Sequence, residues 1–274
     1  MNINNFAKYN SRRSDVLGLN GSVATSHPLA ANAGLDILKK GGNAVDAAIA
    51  TAAALNVVEP MSTGIGGDVF ALIYLNDSEK IIALNGSGRS GSNVNIEYFQ
   101  KNNLNEIPNE GKNSGLSVSV PGAVDAWEEL SKKYGNFLLD SLLLPAIDLS
   151  NNGFPVSEII SDYWSKSKNK LSVNQNCDFL INNKVPKFGD KFINHNLGKT
   201  FKNIAENGKN YLYRGEIPKK IVDYLNKFNG VLTEEDFYNH QSEWVEPISI
   251  NYKGYDVWEC PPNGQGVIAL MLLN

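Results

Sequence analysis

The sequence is poor in the residues that build metal sites, disulfide frameworks and histidine-based catalytic centres. Only 3 histidines and 2 cysteines occur among its 274 residues. His27, His195 and His240 are scattered, without the spacing of a zinc site or of an acid–base pair. Cys177 and Cys260 lie far apart and outside any metal-ligand spacing, so two free thiols are favoured over a disulfide. We therefore expect neither a metal nor another cofactor.

Long apolar runs and clusters of basic residues are also missing. No segment has enough consecutive apolar residues to span a membrane, and residues 1–20 contain no run that fits the core of a signal peptide. The net charge is −4 and no basic run stands out, so we expect no nucleic-acid partner and no membrane partner. Together with the low cysteine content, these features predict a cytoplasmic protein.

Hydrophobic periodicity and capping residues predict a mixed α/β (α+β) fold. Pro28 begins a first helix, and Asn43 caps a second, alanine-rich helix over 44–57 that is expected to be buried on nearly every side. Continuous apolar runs at 69–75 and 80–84 predict a hairpin with both faces covered. The other expected elements are strands at 22–26 and 117–120, helices at 96–101, 123–134, 142–151, 155–171, 215–228 and 267–273, a capping box at Thr233, and a hairpin at 248–252 and 255–259.

A glycine-rich turn joins the alanine-rich helix to the first hairpin at residues 64–68, Gly-Ile-Gly-Gly-Asp. A phosphate-binding P-loop would follow a strand, precede a helix and carry Gly-Lys-Ser/Thr, whereas here the order is helix, loop, strand and no lysine follows. We interpret the turn as a place where backbone approaches backbone, and its functional interpretation is the floor of a substrate cleft.

Arg89 lies in a loop of small residues, 85–91, directly after the hairpin. An arginine presented in this way can bind a carboxylate through two parallel hydrogen bonds, although physical reasoning alone favours a surface arginine in a flexible loop. Ser22, Ser26 and Ser62 lack the Gly-x-Ser-x-Gly context of a serine nucleophile. The residues thus give a candidate anion site and no nucleophile.

The runs at 41–48 and 59–68 together resemble the N-terminal signature of the γ-glutamyltranspeptidase family. Further segments resemble the same family in the same order, from about Gly21 to Asn274: 22–30, 118–124, 230–237, 246–249, 252–255 and 261–266. The resemblance implies an αββα four-layer sandwich of the N-terminal nucleophile hydrolases, incomplete in this chain. Residues 1–20 would be an irregular lead-in, and residues 21–274 a portion of the large subunit.

The resemblance also implies that the active enzyme consists of two subunits with different roles. The catalytic threonine would begin a small subunit released from the same precursor, so this chain would hold no catalytic residue and be inactive alone. Its partners would be that missing small subunit and a small γ-glutamyl compound such as glutathione, whose α-carboxylate the family binds with an arginine.

The candidate substrate-binding residue is Arg89, with Ser87 at the usual arginine position of the family. Asp68 also stands where many members have another glycine. Two alternatives stay open: a family acylase that acts on a different amide, such as a cephalosporin side chain, and a non-catalytic binding remnant.

Overall fold

The computed structural model of the chain describes residues 14–108, 110–171 and 177–274. The elements up to residue 155 are, in order, α1 (Pro28–Lys39), α2 (Ala44–Val58), β1 (Val69–Leu75), β2 (Lys80–Gly86), α3 (Ile96–Lys101), a 3-10 helix (Gly111–Ser117), α4 (Ala123–Tyr134), α5 (Leu139–Leu142), α6 (Leu144–Asn152) and β3 (Phe154–Pro155). The remaining elements are α7 (Glu158–Lys166), α8 (Lys168–Leu171), β4 (Lys191–Phe192), α9 (His195–Asn207), α10 (Asn210–Tyr213), α11 (Glu216–Leu225), a 3-10 helix (Asn226–Phe228), α12 (Glu234–Tyr238), β5 (Glu243–Val245), β6 (Ile248–Tyr252), β7 (Tyr255–Glu259) and α13 (Gly266–Leu273). The predicted mixture of helices and strands is confirmed.

Helix α2 lies at the centre of the core. The Asn43 side chain accepts hydrogen bonds from the first turn, and the Asp46 carboxylate accepts one from the Asn43 backbone, which completes a capping box. Ala50, Ala53 and Ala54 are fully buried. Their small side chains let α1, α4 and α6 pack closely around α2.

The principal sheet has the strand order β1-β2-β5. The predicted hairpin is confirmed as antiparallel pairing from Val69 opposite Gly86 to Leu75 opposite Lys80. Strand β5, which has no strong sequence pattern, pairs antiparallel with β2 and sets Glu243 opposite Asn85. This pairing brings a segment near the end of the chain to the end of the first hairpin.

The expectation that both faces of the hairpin are covered is wrong. Successive side chains of a strand point to opposite faces, and those of β1 that face the helices are half-buried. Phe70, Leu72 and Tyr74 lie on the other face and are 43%, 41% and 59% exposed. The sheet therefore presents a partly exposed apolar face on the side away from the helices.

Several predicted elements differ in the structure. Residues 22–26 and 117–120 lie outside every described strand, and the Gly111–Ser117 segment is a 3-10 helix. The helix expected at 155–171 begins later, because Ser157 is the N-cap of α7. It is also interrupted, because Ser167 separates α7 from α8. Helix α9 was not predicted, since its sequence is polar and begins at the end of residues 165–196, which are rich in lysine and asparagine. No helix in the described ranges is long and apolar enough to cross a membrane.

Asp46 provides a test of how the core is fixed. Its fully buried carboxylate accepts hydrogen bonds from the backbone of Asn43, Asn136 and Phe137, at 2.8 to 3.2 Å. Asp46→Ala should lower the free energy of unfolding by about 3 kcal/mol, because three backbone N–H groups lose a charged acceptor that is itself fully buried. Urea denaturation measures the effect.

Asp36→Ala is the matched control, since Asp36 is exposed and its carboxylate pairs with Lys39 on the same helix. We expect a change below about 0.5 kcal/mol for this variant. Equal effects of the two substitutions would contradict the role assigned to Asp46.

Candidate functional site

The loop that follows β2 forms one wall of an open cavity of about 570 Å³. This wall consists of Asn85 and residues 87–92. The opposite wall is contributed by Gln241 and Glu243 around the start of β5, and by Pro262 and Asn263 before α13. Three segments that are far apart in sequence therefore meet at Arg89.

The Arg89 loop is held by backbone contacts on both sides. The Gly88 amide donates to Oδ1 of Asp68 at 2.8 Å, and the Arg89 carbonyl accepts from the Val120 amide at 2.9 Å. A β-carbon at Gly88 would lie 1.5 Å from the Val120 carbonyl oxygen, so only glycine fits. Arg89 is exposed, as expected for a surface arginine, while these contacts anchor the loop backbone on both sides, so that the side chain extends from a defined position.

The glycine-rich turn at 64–68 supports this loop but does not line the cavity. Its Gly67 carbonyl accepts hydrogen bonds from the amides of Gly122 and Ala123, at 3.0 and 2.9 Å. These amides belong to the first turn of α4, where N–H groups have no partner within the helix. Gly64 and Gly66 have open space where a β-carbon would stand, so the expected close approach is wrong at these two positions. The turn fixes α4 and, through Asp68, the Arg89 loop.

Arg89 forms an ion pair with Glu243, in which its Nη2 donates to Oε1 of the carboxylate. The two side chains are 60% and 49% exposed and both line the cavity. Glu243 gave no local sequence signal, because it lies 154 residues from Arg89 and is brought there by the pairing of β5 with β2. Arg89 is thus a charged, accessible group of the site, with an acidic partner that sequence reasoning missed.

Ser87, which aligns with the usual arginine position, belongs to a network of neutral polar groups. Its hydroxyl lies 3.2 Å from Oδ1 and 3.0 Å from Nδ2 of Asn263, and Asn85 Nδ2 donates to the same Oδ1 at 3.0 Å. The Ser87 amide donates to Oδ1 of Asn85 at 3.0 Å. These contacts link the Arg89 loop to the segment before α13 and give the cavity uncharged donors and acceptors beside the ion pair.

A buried polar layer lies behind the cavity. The carboxylate of Asp125, on α4, accepts hydrogen bonds from Lys209 Nζ and from the Ser242 amide, each at 2.6 Å. Burial raises the pKa of Asp125, but the hydrogen bonds from Lys209 and Ser242 outweigh it and hold the pKa below its usual value. Asp125 thus stays ionised and ties the residue before Glu243 to α4.

His240 stacks on Tyr213 in the same layer, with ring centroids 5.2 Å apart. Burial lowers the pKa of His240; the charges of Arg89 and Lys209 also lower it, while those of Asp125 and Asp68 oppose the shift. Neither ring nitrogen has a hydrogen-bond partner among the described residues. His240 is therefore a neutral packing group and does not reach the cavity wall.

A metal centre has no basis in the described residues, which contain no group of three or more His, Cys, Asp or Glu side chains arranged to hold an ion. Cys177 and Cys260 are free thiols. The charged and polar side chains that line the cavity can bind a ligand through charge and hydrogen bonding.

Comparisons with known proteins identify what the chain resembles. A family model described as gamma-glutamyltranspeptidase matches residues 30–274. The glutathione hydrolase-like YwrD proenzyme of Bacillus subtilis is 40% identical over 261 residues, which cover 94% of this chain and 49% of that protein. The chain spans about half the length of these curated relatives, which include the glutathione hydrolase proenzyme of Bacillus subtilis.

Two solved structures show the same likeness. A cephalosporin acylase from Bacillus halodurans superposes with a TM-score of 0.88 and 44% identity, over 96% of this chain and 50% of that one. The γ-glutamyltranspeptidase of Helicobacter pylori superposes with a TM-score of 0.84 and 30% identity, over 92% of this chain and 73% of that one.

The burial of His240 predicts a pH dependence of stability. Because its pKa is lower in the folded chain, the unfolded chain binds protons more readily. The contribution of His240 is fully present above its unfolded pKa of about 6.5 and is lost progressively as the pH falls below that value. His240→Phe keeps an aromatic ring on Tyr213 and removes the titrating imidazole. The free energy of unfolding of this variant should therefore fall less than that of the wild type between about pH 7.5 and pH 5.5.

Urea denaturation at the two pH values measures this difference. His195→Gln, which removes an exposed histidine at the start of α9, is measured alongside. A His240→Phe variant with the same loss of stability as the wild type would refute the assignment.

Proposed function

Because the chain belongs to the γ-glutamyltranspeptidase family, we propose that it forms the greater part of the large subunit of an enzyme that cleaves γ-glutamyl amides such as glutathione. The observation that carries this proposal is the presentation of Arg89, on a backbone-fixed loop, to an open polar cavity. In this proposal the guanidinium binds the α-carboxylate of the glutamyl group, for which its planar arrangement of donors is suited.

The chemical step in this proposal depends on residues outside the chain. The hydroxyl of the N-terminal threonine of a small subunit attacks the γ-amide carbonyl, and its own α-amine takes the proton and passes it to the amine that leaves. Water or an amino acid then attacks the resulting ester and releases the acyl group. Backbone amides of that subunit stabilise the oxyanion. The described residues supply substrate binding and orientation: Asp68 and Val120 hold the Arg89 loop, and Arg89 holds the donor.

The uncovered apolar surfaces support the proposal of a second subunit. The open face of β1 carries Phe70, Leu72 and Tyr74, and α13 exposes Met271 and Leu272 to 68% and 83%. We propose that the remainder of the precursor covers both surfaces and completes the four-layer αββα sandwich. The relatives, of which this chain spans about half, have the length for such a part.

A different amide substrate is the second candidate. The likeness to the cephalosporin acylase, together with Ser87 at the usual arginine position, favours this alternative. In an acylase that does not bind a glutamyl carboxylate, Arg89 would contribute little to substrate affinity. The two candidates therefore differ in how the enzyme responds to loss of Arg89.

Turnover of γ-glutamyl-p-nitroanilide tests the proposed function. The complete two-subunit protein proposed here should hydrolyse the compound. Residues 1–274 alone should not, because the proposed nucleophile belongs to the small subunit. In the complete protein, Arg89→Ala should raise KM about 30-fold, equivalent to about 2 kcal/mol, through loss of a charged hydrogen-bond pair.

Arg214→Ala is the matched control, because Arg214 stacks on Tyr238 and does not line the cavity. Its KM should equal that of the wild type. An unchanged KM in Arg89→Ala would favour the acylase alternative, and robust turnover by residues 1–274 alone would overturn the division between two subunits.

The apolar surfaces also predict the behaviour of the isolated chain. Exposed contiguous apolar groups promote association, so residues 1–274 should form oligomers or aggregates in light scattering. The double variant Met271→Lys/Leu272→Lys should shift the population toward monomer. Ile159→Lys, which replaces a 65% exposed residue on α7, is the control and should not. A monodisperse wild-type monomer would contradict the prediction.

A further inference from the structure

The charge balance of the cavity differs from that of a simple carboxylate site. Among the described residues that line it, Arg89 and Glu243 are the charged side chains, and they pair with each other. Their formal charges cancel. A ligand that carries only a carboxylate must therefore compete with Glu243 for the guanidinium while bringing a second negative charge close to the first.

Glu243 is held in this position by contacts on both sides of it. The Ser242 amide donates to the buried Asp125 carboxylate, and the β5 pairing sets Glu243 opposite Asn85. The next residue, Trp244, packs edge-on against Tyr134 at 5.3 Å, and the Lys133 ammonium lies 4.1 Å from its ring centroid. The backbone of Glu243 is thus fixed, while its half-exposed side chain can turn toward a ligand.

The guanidinium has capacity beyond this ion pair. An arginine carries five N–H donors, and the bond to Glu243 uses Nη2. A zwitterion can place its carboxylate on Arg89 and its ammonium on Glu243, so that each charge of the protein keeps a partner of opposite sign. The neutral network of Asn85, Ser87 and Asn263 beside the pair satisfies polar atoms without altering this balance.

We propose that Glu243 is a specificity-determining residue: it makes the Arg89 cavity select a zwitterionic α-amino acid head group over a plain carboxylate. The proposal deepens the proposed function and rests on it, because it assigns the recognition of the glutamyl α-amino group to a residue of this chain. Arg89 alone would bind any carboxylate, whereas Arg89 and Glu243 together favour a ligand that carries both a negative and a positive charge.

Binding of L-glutamate and glutarate to the 274-residue chain tests the proposal directly, with every form carrying Met271→Lys/Leu272→Lys, which favours the monomer and leaves the cavity lining unchanged. The two compounds have the same length and differ in the α-amino group. Titration followed through the NMR signals of the Gly88 and Arg89 amides should show L-glutamate binding about tenfold more tightly than glutarate. In Glu243→Gln, which keeps the shape and removes the charge, this preference should disappear because glutarate gains affinity.

Glu246→Gln is the matched control, since Glu246 is exposed, lies three residues further along the chain and does not line the cavity. It should keep the wild-type preference. A preference in Glu243→Gln equal to that of the wild type would overturn the proposal, as would failure of both compounds to bind the wild type and Glu243→Gln. A lower melting temperature with unchanged selectivity would show a purely structural ion pair.

Kinetics in the complete protein separate this proposal from the proposed function. The ratio of kcat/KM for γ-glutamyl-p-nitroanilide to that for glutaryl-p-nitroanilide should fall about tenfold in Glu243→Gln. Arg89→Ala should impair both substrates. Turnover with an unchanged ratio in Glu243→Gln would overturn the role of Glu243 and leave the proposed function standing. Absence of turnover with either compound would refute the function, while the binding preference of the chain would still decide the role of Glu243.

Discussion

The close approach of the β2–Arg89 loop to the start of α4 is the constraint on which the rest of the site depends. A β-carbon at Gly122 would lie 2.1 Å from the Gly86 carbonyl oxygen, and one at Gly88 would lie 1.5 Å from that of Val120. Because two backbones touch here, the first turn of α4 can reach the Gly67 carbonyl, and Asp68 can reach the Gly88 amide. Glycine at these positions thus determines where Arg89 stands.

Two buried carboxylates extend this arrangement across the molecule. Burying a charge costs free energy unless the charge is paired or hydrogen-bonded, so a buried carboxylate requires hydrogen-bond donors to lie around it. Asp46 accepts hydrogen bonds from backbone amides at the start of α2 and in the segment after α4. Asp125 accepts hydrogen bonds from Lys209 and from the Ser242 amide, and thereby aligns β5 with β2. The position of Glu243 in the cavity is a consequence of the second of these clusters.

Features that depend on neighbouring residues were predictable from the sequence. Asn43 caps α2 as expected, and Asp236 completes the capping box of Thr233 in place of the usual Glu. A loop of small residues after a clear hairpin makes Arg89 a candidate for anion binding, and this role stays a prediction. Local patterns do not predict the other groups of the cavity. The three residues of β5 show little periodicity, and Asn263 contacts Ser87 although 176 residues separate them in the sequence. Tertiary packing alone brings the acidic and amide groups of the cavity together.

The exposed sheet face and the cavity are parts of one surface. A β-carbon at Gly264, next to the cavity residue Asn263, would lie 3.8 Å from the ring of Phe70 on the open face of β1. A subunit that covers Phe70 would consequently also restrict water at the Arg89–Glu243 pair. An ion pair exposed to solvent contributes little, whereas in a less polar environment each charge interacts far more strongly with its partner. Assembly, as proposed, would therefore sharpen the discrimination between zwitterion and carboxylate at the same step that supplies the nucleophile.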